Sequence, residues 1–250
     1  MVDTQSEMPG SFWIRRLCAA ICLAGAIASC AVASASAATG IVPPSNPATD
    51  CDAQGGHPDF TLSGLNRCRA KEGIGPMVLP SNWSALSAPE QMLVLVDLER
   101  VNRGLAPLIG LSPALDQLAA DGAQIRNDPA FPSGGFAGGG GIWFGGKSTI
   151  AADYAWMYDD GPRGFDINAD CPAGSSSSDC WLHRDIILLK GTRGTLVAGG
   201  GSTKGSYAFE VLSGYSTAGL MFSWSHELRY FAKRPGAEPL ERLTHKASGG

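Results

Sequence analysis

The chain has 250 residues, a formal charge of −4 and a sequence pI near 5.5. No basic cluster interrupts that balance, so the electrostatic footprint of a nucleic-acid binder is missing and nucleic acid is excluded as a partner. There is no internal repeat, and the length suits one domain with a sizeable core.

Arg15 and Arg16 precede an apolar stretch over residues 17–27, and small residues follow down to Ala35-Ser36-Ala37. That is the order of a secretory signal peptide. The apolar run is about half the roughly 20 residues that span a bilayer, so residues 1–38 read as a leader removed after Ala37 or Ala38. Ile27-Ala28-Ser29-Cys30 also resembles a lipobox, in which Cys30 would carry lipid. Only then would the protein meet a membrane. The expected location is secreted or at the cell surface, outside the cytoplasm.

Cys18, Cys22 and Cys30 fall in the leader, which leaves Cys51, Cys68, Cys171 and Cys180. An even set in an exported chain reads as disulfides. Three pairings are open, and the local ones, Cys51 with Cys68 and Cys171 with Cys180, close the shortest loops. Each contributes about 2–3 kcal/mol if unstrained. Zinc is the weaker reading, because the sequence has no C-x-x-C.

Residues 39–85 are rich in Pro, Gly, Asp and Ser and read as an irregular, disulfide-bearing extension. Ser87-Ala88-Pro89-Glu90 then forms a capping box that opens a helix running to Gly104. Val94, Leu95, Leu98 and Val101 make its core stripe, with Asp97, Glu99, Arg100 and Arg103 largely off it. A second helix starts at Ser112-Pro113 and repeats Leu115, Leu118, Ala119, Gly122 and Ile125 until Asn127-Asp128-Pro129 stops it. Residues 133–146 read as a glycine-rich loop anchored by Ile142, Trp143 and Phe144. A third helix is expected over 149–158, a polar loop over 164–178 and a buried helix in 181–190. The period then changes to short strands at 195–198, 206–212 and 218–224. The middle one sets Tyr207, Phe209 and Val211 against Ala208, Glu210 and Leu212. Helices first and strands last make an α+β domain with a small antiparallel sheet flanked by helices.

Three segments carry a family resemblance: LERVNRGLAPLIGLSPALDQLAADGA, the IWFGG loop leading into AADYAWMYDD, and CWLHRDIILLK ahead of glycine-rich strands. Asn102, Gly104, Leu105, Pro107 and Leu108, then Pro113 and Leu115, then His183, Arg184, Ile187 and Leu188 match its motifs in order. Over residues 88–224 the chain resembles the bacterial type of the CAP superfamily, the cysteine-rich secretory, antigen 5 and pathogenesis-related proteins, also called SCP domains. The resemblance implies an α-β-α sandwich over residues 86–232, a polar tail over 233–250, a central cleft and an extracellular role. Members with a complete cleft present two histidines and two acids able to hold a divalent metal. Here no histidine lies between His57 and His183, although the first is expected after the second helix. The glycine loop reads GGGIWFGG where a G-E-N glutamate is expected. Asp153, Asp159 or Asp160 would have to serve as the second acid. The cleft is therefore degenerate, and neither metal nor cofactor is expected.

His183 is the leading candidate side chain, since imidazole shuttles protons near neutral pH. Glu210 on a central strand needs a partner if buried, with Arg184 or His183 the candidates and a structural ion pair the expected outcome. Gly141 to Ser148 formally satisfies the P-loop expression, but no strand is expected before it and bulky residues crowd it. His183-Arg184-Asp185 lacks the other parts of a kinase. Asp166, Asn168 and Asp170 open like a calcium loop but lack its later Gly and Glu. Ser175 to Ser178 lie outside any nucleophile elbow. The preferred expectation is an exported CAP-like binding or interaction module with Trp143, Phe144 and Trp156 lining a ligand groove. The rival is an extracellular hydrolase using His183 as base with Glu210 or Asp160, and a third reading is a structural envelope protein.

Overall fold

The structure, a computed structural model, describes residues 59–159, 181–191 and 195–231. The leader with Cys30, then Cys51, Asp160, the 164–178 loop with its calcium-like and serine motifs, Cys171, Cys180 and the 233–250 tail lie outside the described residues. Among the described residues the elements run α1 (Leu62–Lys71), α2 (Ala88–Val101), α3 (Pro113–Ile125), β1 (Gly138–Phe144), α4 (Thr149–Tyr158), α5 (Leu182–Ile187), β2 (Leu196–Thr203), β3 (Ser206–Ser213) and α6 (Trp224–Glu227). The fold is α+β: the antiparallel sheet has strand order β1-β3-β2 and helices on both faces.

Local chemistry places the helices where expected. The Glu90 carboxylate accepts from both the backbone N–H and the hydroxyl of Ser87 at 2.7 Å, closing the start of α2. The Ser148 hydroxyl accepts from Ala151 N and opens α4. Alternation along β3 then divides the core. Ala208 packs with Trp143, Ala119 and Ala123, and Leu212 with Val197 and Leu115, all on the α3 face. Phe209 and Val211 join the larger cluster built from α2 and α4 on the other face. The order is α3, sheet, then α2 and α4, which is an α-β-α sandwich.

Glycine on β2 sets how closely α3 approaches. A Cβ on Gly199 would fall 2.2 Å from the Leu115 carbonyl carbon, and one on Gly201 would fall 2.1 Å from Ala120 N. The helix backbone therefore rests directly on the strand backbone, and a methyl group has nowhere to go. Gly199→Ala is expected to cost about 3 kcal/mol, at the upper end of overpacking. Chemical denaturation reads this directly, and a loss under about 0.5 kcal/mol, the scale of an ordinary surface substitution, would show that α3 can lift without penalty.

Four sequence expectations are corrected. Residues 62–71 are helical, not irregular: the Thr61 hydroxyl accepts from Gly64 N, and Leu65 and Cys68 face the core. Residues 138–144 form strand β1, not a loop. Glycine disfavours strands, yet Gly140 and Gly141 are needed here because Ile186 and Pro129 press against them. Residues 218–224 form no strand and give only a Phe222 bridge to Leu111. The outer edge of β2 instead takes the 109–112 segment, through Ile109 N to Leu196 O at 3.0 Å and Ser112 N to Ala198 O at 2.8 Å. Finally, Asp97, Glu99, Arg100 and Arg103 are buried, because α2 has neighbours around its whole girth.

Candidate functional site

His183, in the first turn of α5, places Nε2 3.6 Å from Asp128 Oδ1 in the turn after α3, with side-chain exposures of 15% and 49%. Among the described residues only Arg126 (φ 60°) and Trp181 (φ 66°) are non-glycine residues in left-handed backbone. Each stands two positions before one member of the pair. Such conformations cost roughly 1–3 kcal/mol and persist only where the surroundings impose them. At 3.6 Å the contact is an ion-pair approach beyond a direct hydrogen bond. A carboxylate there restrains the ring. Asp128 read in the sequence only as part of a helix stop. The signal that could have found it is its place, directly after the second predicted helix, where the resemblance leads one to expect the first cleft histidine.

Glu210 lies at the middle of β3, in register with Gly141 on one side and Gly199 on the other. It is 0% exposed and both carboxyl oxygens are buried without a hydrogen-bond partner. Burial pushes its pKa up to about 7. The expected structural ion pair is absent among the described residues. Arg184 bonds Glu72 Oε1 at 2.6 Å and Met157 O at 2.8 Å, and His183 faces Asp128.

Arg184 belongs instead to a buried charge network whose members are scattered along the sequence with no local pattern to join them. Arg69 Nη1 lies 2.6 Å from Glu99 Oε2, and Arg103 pairs with the same oxygen. Arg103 Nη2 reaches Glu72 Oε2 at 2.6 Å and donates to the Tyr158 hydroxyl at 2.8 Å. Glu72, on the C-terminal side of α1, thus links Arg103 of the α2 end to Arg184 of α5. Burial opposes the charge on Glu99, but Arg103 and Arg69 outweigh it and hold the carboxyl below its ordinary pKa. Asp153, on α4, has both oxygens buried without a hydrogen bond. Burial raises its pKa well above the carboxylate range, Glu99 adds to the rise, and Arg69, Arg103 and Arg184 oppose it. These groups join α1, α2, α4 and α5, and none of the paired ones is presented to solvent.

The three aromatics expected to line a groove are distributed through the core. Trp143 faces α3, where its Nε1 donates to Ser206 Oγ at 2.7 Å. Phe144, the next residue of the strand, packs on the opposite side, its ring 5.8 Å from that of Phe60. Trp156 is buried 6.5 Å from the Phe209 ring. Cys68 is disulfide-bonded to a partner outside the described residues, and the Tyr154 hydroxyl donates to its Sγ over 3.8 Å. Among the described residues no group of three or more His, Cys, Asp or Glu is arranged to hold a metal ion. Comparison with protein-family models, with characterised proteins and with solved structures finds no match.

Proposed function

We propose that this chain is an exported CAP-like module that binds a component of the cell envelope or the medium, using the face that carries His183 and Asp128. The disulfide at Cys68 carries the reading, because such bonds persist in oxidising compartments and are rare in the cytosol. The α-β-α sandwich, with His183 on the short helix ahead of the last two strands, agrees with the family resemblance. A hydrolase is the second reading, favoured by one observation: a carboxylate, Asp128, stands 3.6 Å from His183 as the orienting acid of a general base would.

Expression of the full chain in a bacterial host tests the proposal. The expected product is extracytoplasmic, begins after Ala37 or Ala38 or at a lipidated Cys30, and carries Cys68 in a disulfide on non-reducing peptide mapping. An intact leader, or a free Cys68 thiol in most of the protein, would refute export. Sedimentation with isolated envelope fractions then reads binding, and Asp128→Asn and His183→Ala should each reduce it at least about tenfold, roughly 1.4 kcal/mol. Turnover of ester or amide substrates that both variants abolish would favour the hydrolase.

A further inference from the structure

α3 rests on the sheet over a row of glycines, and Glu210 is enclosed beneath it. A Cβ on Gly141 would lie 2.8 Å from Pro129 Cδ, just as one on Gly199 would meet Leu115. The helix and the turn after it thus close over the carboxyl from both neighbouring strands. The charged groups on the surrounding elements are committed elsewhere, exposed to solvent or themselves acidic. On α3, Asp116 Oδ1 accepts from Gly200 N at 2.8 Å, and the exposed Asp121 accepts from Gln117 Nε2 at 2.9 Å. Arg126 at the α3 C-cap is exposed. Asp128 in the turn faces His183, and Arg184 on α5 bonds Glu72, while Asp185 on α5 is itself an acid and brings no positive charge. Strands β1 and β2 contain no charged residue. Nothing among the described residues therefore compensates a negative charge at Glu210.

A neutral carboxyl fits this dry layer at modest cost, whereas an ionised one there costs far more unless water enters. Water enters only if α3 rises, because the glycine contacts leave no room beneath it. We propose that Glu210 makes the seating of α3 proton-dependent: the helix and the 127–132 turn lie flush on the sheet while the carboxyl is neutral, and lift when it ionises. The burial-driven rise to about 7 places the change near neutrality. Asp116, pushed up to about 6 by burial with a smaller contribution from Glu90, acts in the same direction from the edge of the helix. The turn that would lift carries Asp128, so the surface pair with His183 is coupled to the same proton.

Hydrogen exchange of the mature protein between pH 6 and 8, corrected for intrinsic rates, tests the device. Protection of the 115–125 amides in the wild type is expected to fall at least about tenfold across that range. Glu210→Gln should show no such fall, whereas Asp116→Asn should retain most of it. Carbon-13 NMR of the wild-type Glu210 carboxyl gives a reading that does not depend on any variant folding, and should titrate near neutrality. Unchanged wild-type protection, a carboxyl titrating in the ordinary glutamate range, or a Glu210→Gln protein that still loses protection would each overturn the proposal.

Discussion

Glu99→Ala is expected to lower the unfolding free energy by about 3–5 kcal/mol, because it removes the carboxylate that Arg69 and Arg103 share and leaves cationic groups buried with reduced compensation. Arg103 keeps Glu72 and Tyr158, and Arg69 keeps the Gly75 carbonyl, so the loss falls short of stranding either guanidinium completely. Against a typical domain stability of about 5–15 kcal/mol, this change alone would consume roughly a fifth or more of the total. The half-buried, solvent-accessible pair of Arg67 and Asp59 supplies the contrast: Asp59→Ala should change stability by no more than about 1 kcal/mol, since water already screens that pair. Urea denaturation of the two variants side by side decides. Equal losses would mean that burial of the network contributes nothing special. The sign with pH follows from the lowered Glu99 pKa. Its contribution is fully present above the ordinary glutamate value and is lost as pH falls through the lower folded value.

The network also marks where reading the sequence runs out. The starts of α2 and α3 were legible because Ser87 and Ser112 precede apolar residues at helical spacing, and local chemistry of that kind survives in any tertiary setting. The two faces of β3 were legible from strict alternation, and Glu210 lies on the Ala208 and Leu212 face as expected. The polar side of α2 was not, because a charged stripe ordinarily means solvent, and only the packing of α1 shows that Arg69 meets Glu99 there. β1 was hidden for a related reason. Its four consecutive glycines argue for a loop by propensity, and what makes them a strand is the need for Pro129 and Ile186 to approach the backbone. Asp128 and His183 are 55 positions apart in the chain and meet only through the turn after α3. The groove expectation failed on geometry: adjacent residues of a strand face opposite ways, so Trp143 and Phe144 cannot both line one side of β1.

Glu210→Gln is expected to be more stable than the wild type at pH 8 by about 3 kcal/mol, an unusual direction for a substitution in the centre of a sheet. Burial pushes the folded pKa of this acid up to about 7, above the ordinary glutamate value of 4.5. The folded state therefore binds the proton more tightly, and stability declines as pH rises from the unfolded value through the folded one. Below about pH 4.5 the carboxyl is neutral in both states and contributes no penalty. Above about pH 7 the full penalty applies, and the stability curve flattens again. Glutamine holds the same volume and similarly unsatisfied polar atoms but cannot ionise, so the two proteins should converge near pH 4.5 and diverge steadily to pH 7. Asp116 adds a decline of the same sign in both proteins, so subtracting the curves isolates Glu210. Urea midpoints at half-unit pH intervals give that difference. A flat difference curve, or a glutamine variant weaker than wild type at pH 8, would show that water or a compensating group already reaches the carboxyl in the folded state.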